Sequence, residues 1–167
     1  MSTAQKWSLR PAGVDDAAAL LQLIRSLAVY EHLEDEVVAT VDGLGAALAG
    51  SAPSVEALLA EVSGEPVGFA LFFPHFSTFR SAAGLYLEDL FVQPAWRGHG
   101  IGRALLAAVA ARAVERGCSR LEWVVLDWNH PALAFYQRLG AQALDEWRRH
   151  RLSGEALMTL ASGAAPM

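Results

Sequence analysis

The chain has 167 residues, 53% of them hydrophobic, enough to bury one sizeable core in a single domain. Its formal net charge of −5, with no basic stripe, argues against nucleic acid and suits cationic partners better. A single cysteine, Cys118, excludes an intramolecular disulfide, and the longest apolar run, "ALLAAVAA" at 104–111, is far too short to span a bilayer.

The opening "MSTAQKWSLRPAG" has no apolar core of signal-peptide type, so a cytoplasmic protein without a membrane partner is expected. "KWSLRPA" reads as a short strand ending at Pro11. "VDDAAALLQLIRSLAVYEHL" follows with Leu20, Leu23, Ile24 and Leu27 at helical spacing, and Asp15 and Asp16 favour the dipole in its first turn. "VDGLGAALA" predicts a short second helix. "VEALLAEV" and "PVGFALFF" read as strands joined by the turn-rich "SGEP", and "GLYLEDLFV" as a third strand beside them. A helix is expected from the glycine stretch at 98–102 to Glu115 or Arg116, closed by Gly117. "RLEWVVLD" predicts a strand, and Pro131 opens a helix, "PALAFYQRL", closed by Gly140. A last strand or two is expected within "AQALDEWRRHRLSGEALMTLA", and "ASGAAPM", residues 161–167, reads as a flexible tail.

No internal repeat is evident. Hairpins come first and strand–helix alternation second. That order predicts an α/β (α+β) domain with a mixed central sheet flanked by helices, its second half connected in the parallel, right-handed sense.

The stretch "QPAWRGHGIGRALL" places Gly98, Gly100 and Gly102 two apart at the entrance to a predicted helix. A phosphate-binding P-loop needs G-x-x-x-x-G-K-[ST], but Arg103 stands where its second glycine belongs. A dinucleotide fingerprint needs a third glycine or alanine at a position held here by Arg103 or Leu105. A tight strand-to-helix turn, or an anion site built from backbone N–H groups at a helix N-terminus, accounts for the spacing; flanking Arg97 and Arg103 favour the anion site.

"YLEDLFV" carries two adjacent carboxylates, Glu88 and Asp89, inside an otherwise apolar strand. Strict alternation would put them on opposite faces, with Glu88 on the face of Tyr86, Leu90 and Val92. Such a break with local rules marks either function or an exposed strand edge. "YEHLEDE" holds four carboxylates, which read as a solvated helix end on composition alone. Asn129 is placed to cap the helix carrying Tyr136. The five histidines show no ligand spacing, so no metal site is expected. Cys118 reads as a small buried residue, and Trp96, Trp123 and Trp128 as core or rim packing.

Arg97-Gly98-His99-Gly100-Ile101-Gly102 resembles the [QR]-x-x-G-x-[GA] pyrophosphate loop of the GNAT acetyltransferase superfamily. "YLEDLFVQPAWRGHGIGRALL", "GCSRLEWVVLDWNHPALAFYQRLGA", "EW" and the upstream "AVYEHLEDEV" segment are similar to its spermidine/spermine (diamine) N-acetyltransferase branch and bacterial relatives, over about residues 6–160. The resemblance implies a single GNAT domain over 1–167, whose splayed parallel strand pair takes acetyl-CoA, and a homodimer. It implies pantetheine pairing with the backbone of Leu90, Phe91 and Val92, and pyrophosphate held by Arg97, Gly98, His99, Gly100, Ile101, Gly102 and Arg103, with Asn129 in the same cofactor region. It assigns Glu88 as the base that deprotonates the amine through water and Tyr136 as the acid to the CoA sulfur. Tyr30, Glu31, Glu88, Asp89 and Trp147 would line an acidic, aromatic acceptor site suited to a cationic amine.

The implied activity is acetyl transfer from acetyl-CoA to a primary amine by direct attack in a ternary complex, the acceptor being a polyamine, a diamine or a lysine- or thialysine-like amino acid. The alternatives are a protein lysine or N-terminal amine as acceptor, and, in another class, a non-catalytic acyl-CoA-binding regulatory module. "HFSTFRSAAG" departs from the polyamine enzymes, which carry a Trp-containing loop there. Arg80 in about that place should repel a polyamine and favour a shorter amine, or one bearing a carboxylate.

Overall fold

The computed structural model describes residues 6–163. They fall into two compact units, one ending at Val124 and the other beginning at Val125. The first contains β1 (Trp7–Pro11), α1 (Ala17–Glu31), α2 (Val41–Leu48), β2 (Glu56–Val62), β3 (Glu65–Ser77), β4 (Ala82–Val92), α3 (Ile101–Glu115) and β5 (Leu121–Glu122). The five strands form one mixed sheet in the order β1-β2-β3-β4-β5, antiparallel except for β4–β5. This is the expected α/β architecture. Ser63 and Gly64, both at positive φ, make the two-residue hairpin turn that aligns β2 with β3.

Side-chain alternation separates two sheet faces. One packs Leu59, Phe69, Leu71 and Phe91 against Leu20 and Leu23 of α1. The other turns towards α3: Arg112 stands over the Phe72 ring, and Gly102 lies beside Val92. β1 is tied to the start of α1 by Arg10, whose Nη1 and Nη2 donate to Asp16 at 2.8 and 2.7 Å while its Nε donates to Glu61 at 2.9 Å. α3 ends where glycine permits: Gly117 sits at φ +66°, and the Cys118 N–H donates to Ala113 O at 2.8 Å.

The second unit contains α4 (His130–Arg138) and α5 (Gly154–Ala161). Asn129 caps α4, its Oδ1 accepting from Ala132 N at 3.3 Å, and Gly140 at φ +86° closes it. Four expectations are corrected. "RLEWVVLD" forms only the two residues of β5, and none of the described residues 141–153 is in a strand. A strand needs a partner edge, and the run Arg148-Arg149-His150-Arg151 lacks the alternation that would bury one face. The segment closes instead as α5, with Ser153 at the N-cap and Glu155 in the first turn. Ala161 of the expected tail belongs to α5, while residues 164–167 lie outside the described residues. Cys118 is half-buried rather than buried.

Candidate functional site

β4 is the strand on which the site is built, and its register is irregular. Asp89 pairs with Leu71 and Leu87 with Phe72, so Glu88 is an extra residue in a β-bulge. Cross-strand partners share a face, and Leu71 faces α1. Tyr86, paired with Phe73, therefore points to the α1 side together with Asp89 and Phe91, while Leu87, Leu90 and Val92 point to the α3 side. The alternation expected from the sequence, which grouped Tyr86 with Leu90 and Val92, fails at the bulge.

The bulge gathers acidic groups at the C-terminal end of α1. Burial, with the charges of Glu88 and Glu31 added, holds the Asp89 carboxyl up at about 7. Burial also raises the Glu31 carboxyl above its ordinary value. Glu88 is exposed. α1 stops here because His32 turns left-handed at φ 59°, which leaves Tyr30 and Glu31 in its last turn. Tyr30 packs on the core cluster that contains Phe91.

The glycine loop begins where β4 ends. Gly98 and Gly100 have φ of +79° and +81°, and an added Cβ at either would meet nothing within 4 Å. Backbone conformation is what requires glycine there, and open space remains in front of the loop. α3 starts at Ile101 with no side chain capping its first turn and no acidic residue in it, which keeps its positive end available to an anion. Ile101 is itself buried, so only its backbone N–H can serve such a ligand. Exposed Arg103 adds positive charge. We expect Gly100→Ala to lower the melting temperature by about 2–4 °C, from roughly 1 kcal/mol of left-handed strain. It should also weaken acetyl-CoA binding, as read by thermal shift with and without the cofactor.

The loop is pinned by contacts that sequence reasoning did not find. The Trp7 indole N–H donates to His99 O at 3.1 Å across 92 residues of chain. Arg97 Nε donates to Val92 O at 3.0 Å, and its guanidinium stands 4.4 Å from the Tyr30 ring centroid and 5.7 Å from that of Phe91. Nothing local in the sequence signals the Trp7–His99 bond or the Arg97–Tyr30 stack, because both join elements far apart in the chain.

Beyond Tyr86, β4 has no β5 partner among the described residues, since that pairing covers only Leu85 with Leu121 and Tyr86 with Glu122. The β4–β5 ladder therefore stops short of Leu90 to Val92. A surface cleft of about 550 Å³ between α1 and the β2–β3 turn, lined in part by Gln22, Ser26, Glu65 and Trp96, includes none of the predicted site residues.

The remaining predicted residues lie in the second unit. Asn129 is buried at the head of α4, and Tyr136 is half-buried further along it, with its ring centroid 5.2 Å from that of Phe135. Trp147 lies outside any helix or strand and is 71% exposed. Arg80 is exposed in the turn between β3 and β4.

The sheet is mixed, its fourth strand is bulged, and a glycine-rich helix start without a side-chain cap follows that strand. The acetyltransferase (GNAT) family model matches residues 18–141, and the chain belongs to this family. It is an acetyltransferase. It is 41% identical over 164 residues to the thialysine N-epsilon-acetyltransferase of Bos taurus, covering 92% of this chain and 96% of that one. It is 34% identical to the L-ornithine N5-acetyltransferase of Arabidopsis thaliana, covering 91% and 86% respectively. Among solved structures, an integron cassette protein from the mobile metagenome of V. cholerae superposes with a TM-score of 0.76 at 26% identity, covering 93% of this chain and 97% of that one. No helix among the described residues is long and apolar enough to cross a membrane.

Proposed function

We propose that this enzyme transfers the acetyl group of acetyl-CoA to the primary amine of a small cationic acceptor by direct attack in a ternary complex. The observation that carries this reading is the acidic corner at the end of α1, where the charges of Glu31 and Glu88 act on Asp89, next to the loop that Arg97 anchors. An alkylammonium enters such a corner favourably, and its proton must then leave. At pH 7 the free amine of a group with pKa about 10.4 is scarcer by about 4.6 kcal/mol, so a nearby base matters.

Glu88, acting through water, is the base the family resemblance implies. A specific observation favours Asp89 as a second reading: a carboxyl held at about 7 is matched to proton abstraction at neutral pH. The residues fit acetyl-CoA: the loop from Arg97 to Arg103 would hold the pyrophosphate, and the backbone of Leu90 to Val92, beyond the β4–β5 pairing, would hold the pantetheine. When bound, the cofactor supplies the acetyl group and a thiolate leaving group, and Tyr136 is the proposed proton donor to the sulfur. Asn129 holds the helix on which Tyr136 rides. Tyr30, Glu31 and Trp147 are the proposed acceptor contacts.

The acceptor class is the finer part of the proposal. The thialysine and ornithine named for the two relatives are short amines that also carry a carboxylate. Exposed Arg80 favours that class over a long polyamine. A homodimer, a cytoplasmic setting and one domain spanning the chain belong to the same proposal. The test is free-thiol release from acetyl-CoA against thialysine, ornithine, lysine, putrescine, spermidine and a lysine peptide. Turnover on thialysine or ornithine above the others is expected. Turnover on the peptide alone would move the assignment to a protein acetyltransferase. Acetyl-CoA binding without turnover on any amine would point to a regulatory acyl-CoA module.

A further inference from the structure

We propose that Tyr30 is a positioning residue for the cofactor loop, acting through the Arg97 guanidinium stacked on its ring, so that the acceptor end of α1 and the acetyl-CoA loop are energetically linked. The inference rests on the proposed function, because it takes the glycine loop as the acetyl-CoA site and the end of α1 as the acceptor site.

Arg97 joins three elements at once. Its Nε is committed to Val92 O, the last carbonyl of β4, at 3.0 Å. Its guanidinium lies 4.4 Å from the Tyr30 centroid on α1 and 5.7 Å from that of Phe91 on β4. A planar cation over two aromatic rings, with one edge donating to backbone, is held in orientation as well as position.

The loop needs such anchors. Gly98 and Gly100 at positive φ give the free chain many conformations, so its ordering before the ligand arrives falls on a few contacts. Trp7 on His99 O and the His99 ring on Arg97 O (Nδ1 at 3.0 Å) hold the far side of the loop, and the Arg97 stack holds the near side. Loss of the Tyr30 ring releases that near side while removing none of the groups proposed to meet the cofactor, Arg97 included. Tyr30 thus adds a role that its place in the acceptor site does not imply. Linkage makes the effect reciprocal, so bound acetyl-CoA tightens the α1 end where the amine is proposed to sit.

The experiment is a double-mutant cycle on acetyl-CoA dissociation constants, measured calorimetrically in the absence of acceptor. Tyr30→Leu is expected to weaken acetyl-CoA binding about 5-fold, while Tyr30→Phe, which keeps the π face, stays within about 2-fold. In an Arg97→Gln background Tyr30→Leu should add nothing further, which is the signature of action through Arg97. If Tyr30→Leu fails to fold by circular dichroism, Tyr30→Met, which fills the space without a π face, takes its place. Additive losses, or an unchanged acetyl-CoA constant with a raised acceptor KM, would overturn the inference and leave the proposed function standing. A wild-type chain that does not bind acetyl-CoA would overturn both.

Discussion

Tyr136→Phe is expected to lower turnover about 10²-fold while the acetyl-CoA dissociation constant stays nearly unchanged. The substitution keeps the ring, and with it the packing against Phe135, and removes only the hydroxyl. The loss is bounded by the chemistry of the leaving group. A thiol of pKa about 8.5 departs as thiolate at a cost of only about 2 kcal/mol at pH 7, so an acid accelerates the step without being indispensable. The effect should therefore fall on kcat and not on cofactor affinity, and it should shrink as the pH rises and the thiolate becomes the stable product. Stopped-assay thiol release across pH 6.5–9.5 reads both features. Unchanged kcat at pH 7 would remove Tyr136 as the acid and leave it an aromatic of α4.

The sequence pattern reaches a long way into this fold because most of its elements are locally determined. The hairpin turn at Ser63-Gly64, the glycine stop of α3 and the Asn129 cap of α4 each rest on residues within a few positions of one another. The glycine loop is legible for the same reason, since its residues are contiguous. The bulge at Glu88 is not, because it is a relation between two strands: nothing within "YLEDLFV" says that Leu87 will pair with Phe72 and Asp89 with Leu71. That single extra residue turns Asp89 from a place on a regular pleat into the half-buried neighbour of Glu31. The Trp7 and Arg97 contacts are hidden in the same way, as side chains that meet only once the sheet is assembled. The missing C-terminal strand is the opposite case. A strand there needs a partner edge, and β5 extends for only two residues.

The second large effect belongs to Asp89→Asn, and it separates the two candidate bases. In the folded protein the carboxyl is held at about 7, against 3.8 for an ordinary aspartate, by burial first and then by the charges of Glu88 and Glu31. A carboxyl raised in this way penalises folding when it is ionised. The penalty is absent below about pH 4, grows as pH rises and is complete above about pH 7, where it amounts to about 4 kcal/mol. Asparagine carries no such penalty, so the variant should be more stable than the parent at pH 8 and equal to it near pH 4, as measured by urea unfolding at the two pH values. Its activity should fall about 10²-fold, with loss of the break near pH 7 in the kcat/KM profile if Asp89 takes the proton from the amine. Glu88→Gln removes one of the charges that raise Asp89, so on this reading the break survives and moves to lower pH. If the break instead vanishes in Glu88→Gln and persists in Asp89→Asn, the exposed carboxylate is the base. Asp89 then serves only to draw the ammonium into the corner, relieving its own folding penalty each time an acceptor binds.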